Sequence, residues 1–322
     1  MIETRATWTD LIMGVGLEIA DVFDQGQEEY IPGVGSIINS TSGEGAQRNF
    51  TGKTGLGRLN KFDEGDDMAG GRRYKTYTTS AIYNNYGKFV EVTANDIEDR
   101  NYDAELNEMK DLGVAANFSQ DEAAMQIFNG GFSTTSTVKG YEINWYGDNK
   151  PLFSTIHPSV VPGASTQSNA SSTGIKFGHD SLEIGKIALM EQKTDDGIPM
   201  ALLGKPMLTV PLALEREAQE ETRSELNPEN ANNAINVFKG TVDMASSLFL
   251  SATNGGSDTA WFLTVPGKSQ LYHEMRLAPS LAQDVNIKNG IVTYAVKARW
   301  TEYVKEWKRT WASKGDLAAY SA

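Results

Sequence analysis

Residues 50–77 read FTGKTGLGRLNKFDEGDDMAGGRRYKTY, and this stretch limits the possible folds more than any other. Glycine and alternating charge fill it, and its few apolar side chains are scattered. Such a composition buries too little apolar surface to offset the entropy that is lost on ordering. The segments on both sides nevertheless have the patterns of regular structure. The chain therefore carries a long polar excursion that cannot form a core of its own.

Before the excursion, apolar residues recur at helical spacing. The set comprises Trp8, Leu11, Ile12, Val15, Ile19, Val22 and Phe23. Acidic residues and glycine stand between them, and this pattern is typical of an amphipathic helix. Gly26 and the Ile31-Pro32-Gly33 turn are predicted to end the helix, because glycine and proline are common where helices stop.

After the excursion, the segment TYTTSAIYNNYGKFVEVT is rich in β-branched and aromatic residues. This composition predicts a strand, a turn at Asn84-Asn85 and a second strand. The polar excursion is therefore interpreted as part of a long arm that resembles a β-hairpin.

A long helix is predicted next. Thr93 and Asp96 have the spacing of a capping box, and apolar residues then repeat at three- or four-residue steps and their multiples as far as Ile127. A helix that ends at Asn129 would have about 35 residues and a length of about 50 Å. Its other faces are strongly acidic. The carboxylates are Asp96, Glu98, Asp99, Asp103, Glu105, Glu108, Asp111, Asp121 and Glu122, against Arg100 and Lys110.

Shorter elements follow in the remainder of the chain. Helices are predicted over residues 181–193 and 212–225, a strand at MLTV, and further strands near the segments SLFLSA and AWFLTV. The segment GIVTYAVKARWTEYVKEWKRTWASKG alternates in the manner of antiparallel strands. The residues predicted to share one face are Tyr294, Val296, Ala298 and Trp300. Helices and strands of this kind predict an α+β protein.

Composition narrows the class of protein. The 322 residues exceed the size, about 250–300 residues, at which one core stops growing, so two subdomains are expected. No run of eighteen apolar residues and no signal peptide pattern is present, which predicts a protein that stays in the cytoplasm and outside membranes. The absence of cysteine excludes disulfides and thiolate sites. A net charge of −13 argues against a broad basic surface for nucleic acid, although not against enclosing it.

The sequence does not contain the common catalytic and cofactor motifs. Gly52-Lys53-Thr54 ends like a phosphate-binding loop, but Gln47 stands where the first glycine is required. The three histidines, His157, His179 and His273, have no second ligand at zinc-site spacing, and no Gly-x-Ser-x-Gly turn is present. No metal, no cofactor and no enzymatic activity are therefore expected. A hydrolase whose triad comes from distant segments is the alternative from another class.

Five motifs keep the order and spacing of one known family. They are LFSTIHPSVVPGASTQSN at residues 152–169, KTDDGIPM at 193–200, LTVPLALEREAQE at 208–220, AWFL at 260–263 and RWTEYVKEWKRTWASKG at 299–315. Together they resemble the major capsid protein of tailed phages, which has the Hong Kong 97-like fold, and in particular the branch related to the Mu-type major head subunit. The resemblance covers nearly the whole chain, from about residue 7 to residue 315.

The resemblance implies an α+β fold with an N-terminal arm, an extended β-hairpin loop, a long spine helix, and peripheral and axial domains. The N-terminal arm would cover residues 1–49 and the extended loop residues 50–92. Residues 93–150 would form the spine helix and the start of the peripheral domain, and residues 151–285 mainly the axial domain. Residues 286–322 would form the closing sheet of the peripheral domain and the C-terminus.

The same resemblance implies a structural function. Hexamers and pentamers of the protein would form an icosahedral shell around double-stranded DNA, in a virion assembled in the host cytoplasm. A separate scaffold protein and a portal are expected partners, a decoration protein is allowed for, and neither sequence-specific DNA binding nor a membrane is expected. An acidic spine helix along the inner wall would repel DNA phosphates. A shell protein of the encapsulin type, which encloses enzymes in a cellular compartment, is the alternative.

Contacts between subunits are expected from the arm and from the loop. In the arm they involve Trp8, Leu11, Ile12, Val15 and Ile19. In the loop they involve Asp66, Asp67, Arg72 and Arg73. A loop that lies on a neighbouring subunit makes the contacts that order it only in the shell. Its acidic and basic blocks would then pair between subunits.

Overall fold

The structure is a computed structural model that describes residues 8–68, 70–99, 101–200, 204–226, 235–286 and 288–322, with the backbone alone for residues 8–13. The helices are α1 (Trp8–Glu29), α2 (Val34–Ile37), α3 (Ala94–Asp99), α4 (Asp103–Asn129), α5 (His179–Met190) and α6 (Glu215–Arg223). The strands are β1 (Asn39–Ser42), β2 (Gln47–Lys53), β3 (Lys75–Ile82), β4 (Asn84–Thr93), β5 (Thr137–Val138), β6 (Tyr141–Asn144), β7 (Met207–Pro211), β8 (Asp243–Ser247), β9 (Trp261–Thr264), β10 (Gln270–Asn286), β11 (Ile291–Glu306) and β12 (Thr310–Ser313). The predicted α+β class is confirmed.

The larger sheet is built around the two longest strands. β10 and β11 pair antiparallel, in the strand order β1-β10-β11-β6-β5, and β4 also pairs with β11. The alternation predicted for β11 is confirmed, since Tyr294, Val296, Ala298 and Trp300 are all buried. This face of the sheet packs against α1 and α4.

A second, four-stranded sheet has the order β12-β9-β7-β8. Its core includes Trp261 and Trp311, which lie under α5. Gly185 of α5 makes this packing possible, because a Cβ there would lie 2.9 Å from each indole ring. The chain passes from the first sheet to the second within residues 307–309, between β11 and β12. Both sheets are therefore joined by one nearly continuous segment.

The N-terminal helix continues past Gly26. α1 ends at Glu29, so the prediction that Gly26 ends the helix is wrong, whereas the Ile31-Pro32-Gly33 segment predicted as a turn does follow its end. Gly26 lies instead where α1 crosses α4. A Cβ on Gly26 would lie 3.2 Å from the Cα of Gly113 and would overlap the carbonyl oxygen of Lys110. The two backbones approach so closely that only glycine fits at this crossing.

The apolar face of α1 is covered by its own subunit. Val15, Ile19 and Phe23 are buried among Met109 of α4 and Tyr294 of β11. Full burial of an aliphatic or aromatic side chain stabilises a fold by about 1.5–3 kcal/mol, as an upper estimate. This part of the N-terminal segment therefore belongs to the core beneath the larger sheet.

The predicted spine helix is divided into two. The predicted cap is confirmed, because the Asp96 N–H donates to Thr93 Oγ1 at 3.2 Å. The single helix of about 35 residues is wrong, since α3 ends at Asp99 and α4 begins at Asp103. The Asn101 N–H donates to the Asp96 carbonyl at 2.8 Å, a five-residue step that departs from the four-residue α-helical ladder. Carboxylates in the first turn then favour a new helix start.

The acidic flank is smaller than predicted. Glu98, Asp99, Asp103, Glu108 and Asp111 are exposed. Asp121 is buried instead, and its two carboxylate oxygens accept hydrogen bonds from the backbone N–H groups of α2 and its preceding residue, at 2.8 and 2.9 Å. Its assignment to the flank is wrong, because Asp121 caps the start of α2.

The turn predicted between two adjacent strands is also wrong. Asn84 and Asn85 form no turn, since both lie in β4, and only Tyr83 separates β3 from β4. These strands do not pair with each other: β3 pairs with β2, and β4 with β11. The strand predicted near SLFLSA is β8, which ends at Ser247, and Leu248–Leu250 form a 3₁₀ helix after it.

Candidate functional site: the tip loop and its root

β2 and β3 form a two-stranded antiparallel ribbon that carries the polar excursion. The tip loop, residues 54–74, connects them. At its base the Thr54 N–H donates to the Tyr74 carbonyl at 2.9 Å, and the Tyr74 N–H donates to Thr54 Oγ1 at 3.0 Å. The hairpin-like arm is therefore confirmed, with β2 instead of β4 as the partner of β3.

The tip loop exposes large apolar side chains. The exposed fractions are 102% for Leu59, 76% for Met68 and 52% for Phe62. Soluble proteins tolerate single exposed apolar residues, but several on one projecting loop indicate a contact surface. Leu59 and Met68 are largely exposed and Phe62 is about half exposed, so these side chains offer apolar surface to a partner.

The ribbon is fastened to the larger sheet by a buried carboxylate, Glu274 of β10. The Tyr303 hydroxyl donates to Glu274 Oε2 at 2.5 Å, and Arg48 Nη1 donates to Oε1 at 2.7 Å. The Tyr83 hydroxyl donates to the same Oε1. The four residues come from β2, β10, β11 and the junction of β3 with β4. We call them the Glu274 cluster.

The Glu274 cluster shifts the pKa values of its members in opposite directions. Burial alone would raise the pKa of the Glu274 carboxyl, but the hydrogen bonds from Tyr303, Tyr83 and Arg48 outweigh it and hold that pKa below its ordinary value. Burial and the bond to Glu274 raise the pKa of Tyr83 to about 12. They raise the pKa of Tyr303 as well. At neutral pH the cluster therefore contains one carboxylate and two protonated phenols.

Aromatic rings beside the cluster enclose one lysine. The rings of Phe50 and Tyr303 stack with centroids 4.9 Å apart, and those of Tyr303 and Tyr272 with centroids 5.2 Å apart. Lys305 Nζ lies 4.0 Å from the centroid of Tyr272 and 4.2 Å from that of Phe50. Burial, together with the nearby charge of Arg48, lowers the pKa of Lys305.

A cleft of about 520 Å³ opens between the base of the tip loop and the junction of the two sheets. We call it the root cleft. Its walls carry the basic residues Lys53, Lys305, Lys308 and Arg309, and the acidic residues Asp195 and Glu306. Lys308 Nζ lies 3.1 Å from Asp195 and 2.5 Å from Glu306, so one lysine engages both carboxylates. The other three basic side chains have no carboxylate partner within ion-pair distance among the described residues.

Each of the three histidines lies beside a carboxylate. His157 Nδ1 is 2.7 Å from Asp148, and its ring stacks on Trp307 with centroids 4.2 Å apart. His179 and His273 lie against Glu221 and Glu302. These are packing positions within the fold. Among the described residues no cluster of three His, Asp or Glu side chains is placed to bind a metal ion.

The predicted contact residues fall into three groups. The side chains of Trp8, Leu11 and Ile12 lie outside the described residues. Val15 and Ile19 are in the core of their own subunit, 6% and 1% exposed. The predicted loop residues, Asp66, Asp67, Arg72 and Arg73, are all exposed on the tip loop.

Sequence reasoning missed the root of the ribbon. Glu274 and Tyr272 lie in β10, a strand that was not predicted. Lys305 was seen only as part of an alternating segment. None of the helices in the described ranges is long and apolar enough to span a membrane.

Comparisons with known proteins identify the fold. No protein-family model matches the chain, and no curated protein does. Among solved structures, the capsid of bacteriophage JBD30 is 15% identical with a TM-score of 0.54, over 69% of this chain and 92% of that one. The mature capsid of bacteriophage PhiM1 is 10% identical with a TM-score of 0.56, over 88% and 86%. The capsid of Ralstonia phage GP4 is 11% identical with a TM-score of 0.52, over 87% of each chain.

These similarities place the chain in one structural class. It has the fold of tailed-phage capsid proteins, and the predicted Hong Kong 97-like fold is confirmed. The closer relation to the Mu-type branch stays a prediction from the motifs.

Proposed function

We propose that the protein is the structural subunit of an icosahedral phage head, which forms hexamers and pentamers around double-stranded DNA. The observation that carries the proposal is the tip loop: it projects from the fold of a capsid protein and exposes Leu59, Phe62 and Met68. In a subunit that acts alone these apolar side chains would stay exposed to water. In a shell, a neighbouring subunit can cover them in every copy.

The acidic flank of α3 and α4 fits the enclosure of DNA. Its exposed carboxylates repel phosphates, so a packaged genome slides along the wall without adhering to it. The chain acts as a container in this proposal, and no step of catalysis is assigned to it. The division into arm, loop, spine, axial and peripheral parts keeps the boundaries predicted from the sequence.

The partners follow from the same proposal. The subunit assembles with copies of itself in the host cytoplasm and becomes part of the virion, with a separate scaffold and a portal. The JBD30 capsid is decorated with minor capsid protein trimers. A decoration protein is accordingly a partner to search for here.

Electron microscopy of the purified protein tests the proposal. We expect negative-stain images to show closed shells or their rings of five and six subunits, sedimenting far ahead of the 35.2 kDa chain. Particles isolated from infected cells should contain nuclease-protected DNA. Protein cargo without DNA would favour the encapsulin alternative, and a chain that stays monomeric at all salt concentrations would contradict both.

Reversal of the basic block should weaken assembly without unfolding the subunit. In Arg72→Glu/Arg73→Glu, two exposed cations become anions, and the loop then repels the acidic block of a neighbouring copy. The yield of particles in a sedimentation gradient should fall and should recover partly at high salt, where charges are screened. Circular dichroism should be unchanged. Equal yields at low salt would exclude these arginines from the contact.

A further inference from the structure

The charges of the tip loop are distributed unevenly along its length. Its four acidic residues lie near the middle of the loop, at Asp63, Glu64, Asp66 and Asp67, and two cations, Arg58 and Lys61, precede them. Arg72 and Arg73 lie at the returning end, next to the hydrogen-bonded pair of Thr54 and Tyr74. Residues 58–67 therefore carry four carboxylates against two cations and form the acidic end of the loop, and the returning end beside the ribbon is basic.

The root cleft, at the base of the loop, also carries basic residues. Lys53 and Arg309 line it, and so does Lys305, which the aromatic rings hold in place. The two carboxylates in the cleft are already engaged by Lys308. Three cations without carboxylate partners on one concave surface make a site for an anionic ligand.

The acidic end of the loop does not occupy the cleft of its own chain. Asp63, Glu64, Asp66 and Asp67 are all exposed. Of these four, the described residues give an ion pair to Asp63 alone, which lies 3.1 Å from Lys61 in an exposed position. A second copy of the chain presents the same acidic segment, flanked by the half-exposed Phe62.

We propose that the acidic end of the tip loop of one copy binds in the root cleft of a second copy. The inference rests on the proposed function and names the contact that the loop makes. The occupant is a short acidic peptide segment, residues 62–67, whose carboxylates complement Lys53, Lys305 and Arg309 in the cleft and Arg72 and Arg73 at the base of the loop.

The geometry of such a contact has a consequence for assembly. Each copy offers one loop and one cleft at different places on its surface, so the contact is head-to-tail and not self-complementary. Head-to-tail contacts generate rings when the rotation between copies closes. Burial and the nearby charge of Arg48 lower the pKa of Lys305, so an anionic segment bound beside this ammonium group would stabilise its charged form.

Disulfide trapping tests the contact directly, because the chain has no cysteine of its own. In Asp66→Cys/Lys53→Cys particles, mild oxidation should link each loop to the next cleft and give a ladder of covalent multimers on a denaturing gel without reductant. Each single variant should give dimers at most. The matched control is Asp66→Cys/Lys88→Cys, since Lys88 is also exposed but lies on β4 outside the cleft.

A charge exchange provides an independent measurement that does not depend on disulfide geometry. Lys53→Glu should lower the particle yield at low salt by about tenfold, and adding Asp66→Lys/Asp67→Lys to the same chain should restore much of it. Lys88→Glu should leave the yield unchanged.

The outcomes separate the inference from the proposed function. A ladder in the control variant, or normal particles from Lys53→Glu, would overturn the contact and leave the shell function standing. Absence of particles from the unsubstituted chain would overturn both. A ladder confined to the Lys53 variant, together with rescue by the exchange, would establish the contact.

Discussion

Replacing Gly113 by leucine is expected to lower the free energy of unfolding by about 3 kcal/mol and to release α1 from α4. A Cβ at Gly113 would overlap the carbonyl oxygen of Phe23 and would lie 3.1 Å from the Cα of Gly26. Backbone atoms cannot move aside as a flexible side chain can, so the helices must separate. Separation would expose Val15, Ile19 and Phe23 to water. Urea unfolding and limited proteolysis within α1 measure the two effects.

A glycine in α1, the helix that α4 crosses, supplies the control. Gly14 has no atom within 4 Å of the position that a Cβ would take. Gly14→Ala should therefore be neutral, or should stabilise the helix by about 0.5–1 kcal/mol, because alanine is the better helix former. If Gly113→Leu unfolds at the same urea concentration as the unsubstituted chain, the close crossing of α1 and α4 is not a feature of the protein.

Removing the carboxylate of Glu274 should destabilise the subunit by about 3–5 kcal/mol, because the loss of one partner leaves buried polar groups unsatisfied. In Glu274→Ala the hydroxyls of Tyr83 and Tyr303 lose their acceptor, and Arg48 loses its ion pair. Glu274→Gln keeps an acceptor oxygen of similar shape and should cost less. Urea denaturation of the three proteins measures both differences.

The same residue predicts a dependence on pH. The folded-state pKa of Glu274 lies below the ordinary value of 4.5, so its stabilisation is fully present above that value and is lost as the pH falls through the folded-state pKa. The urea midpoint of the unsubstituted chain should therefore fall more steeply below pH 4.5 than that of Glu274→Gln. Parallel curves for the two proteins would show that Glu274 is not held by these bonds.

Periodicity in the sequence was enough to predict elements whose buried residues recur at a regular spacing along one segment. The alternation of Tyr294, Val296, Ala298 and Trp300 predicted the buried face of β11, and the helical spacing around Val15 predicted α1. The prediction that α1 ends at Gly26 was wrong because this glycine does not end the helix but allows its close contact with α4. Its partner, Gly113, stands 87 positions later, and no local pattern connects the two.

Of the candidate site, the tip loop was predicted from the sequence, and the Glu274 cluster and the root cleft were not. The polar composition of residues 50–77 identified the tip loop, and its charged blocks could be read directly. The Glu274 cluster could not be predicted, because Arg48, Tyr83, Glu274 and Tyr303 come from separate segments of the chain. The root cleft also depends on the way β2 lies across the junction of the two sheets. Such a site exists only after the strands have been placed.

The path of β11 into β12 has a mechanical consequence. Tyr303 and Lys305 of β11 hold the ribbon, and four residues after Lys305 the chain reaches Arg309, whose φ of 67° turns it into the second sheet. A rotation of the second sheet about this short connection would also move the base of the tip loop, because the same strand carries Tyr303 and Lys305. The loop then acts as the long arm of a lever, so a small rotation at Arg309 sweeps its far end through a large arc. In a shell, strain that arises around one ring would reach the neighbouring subunits along this route.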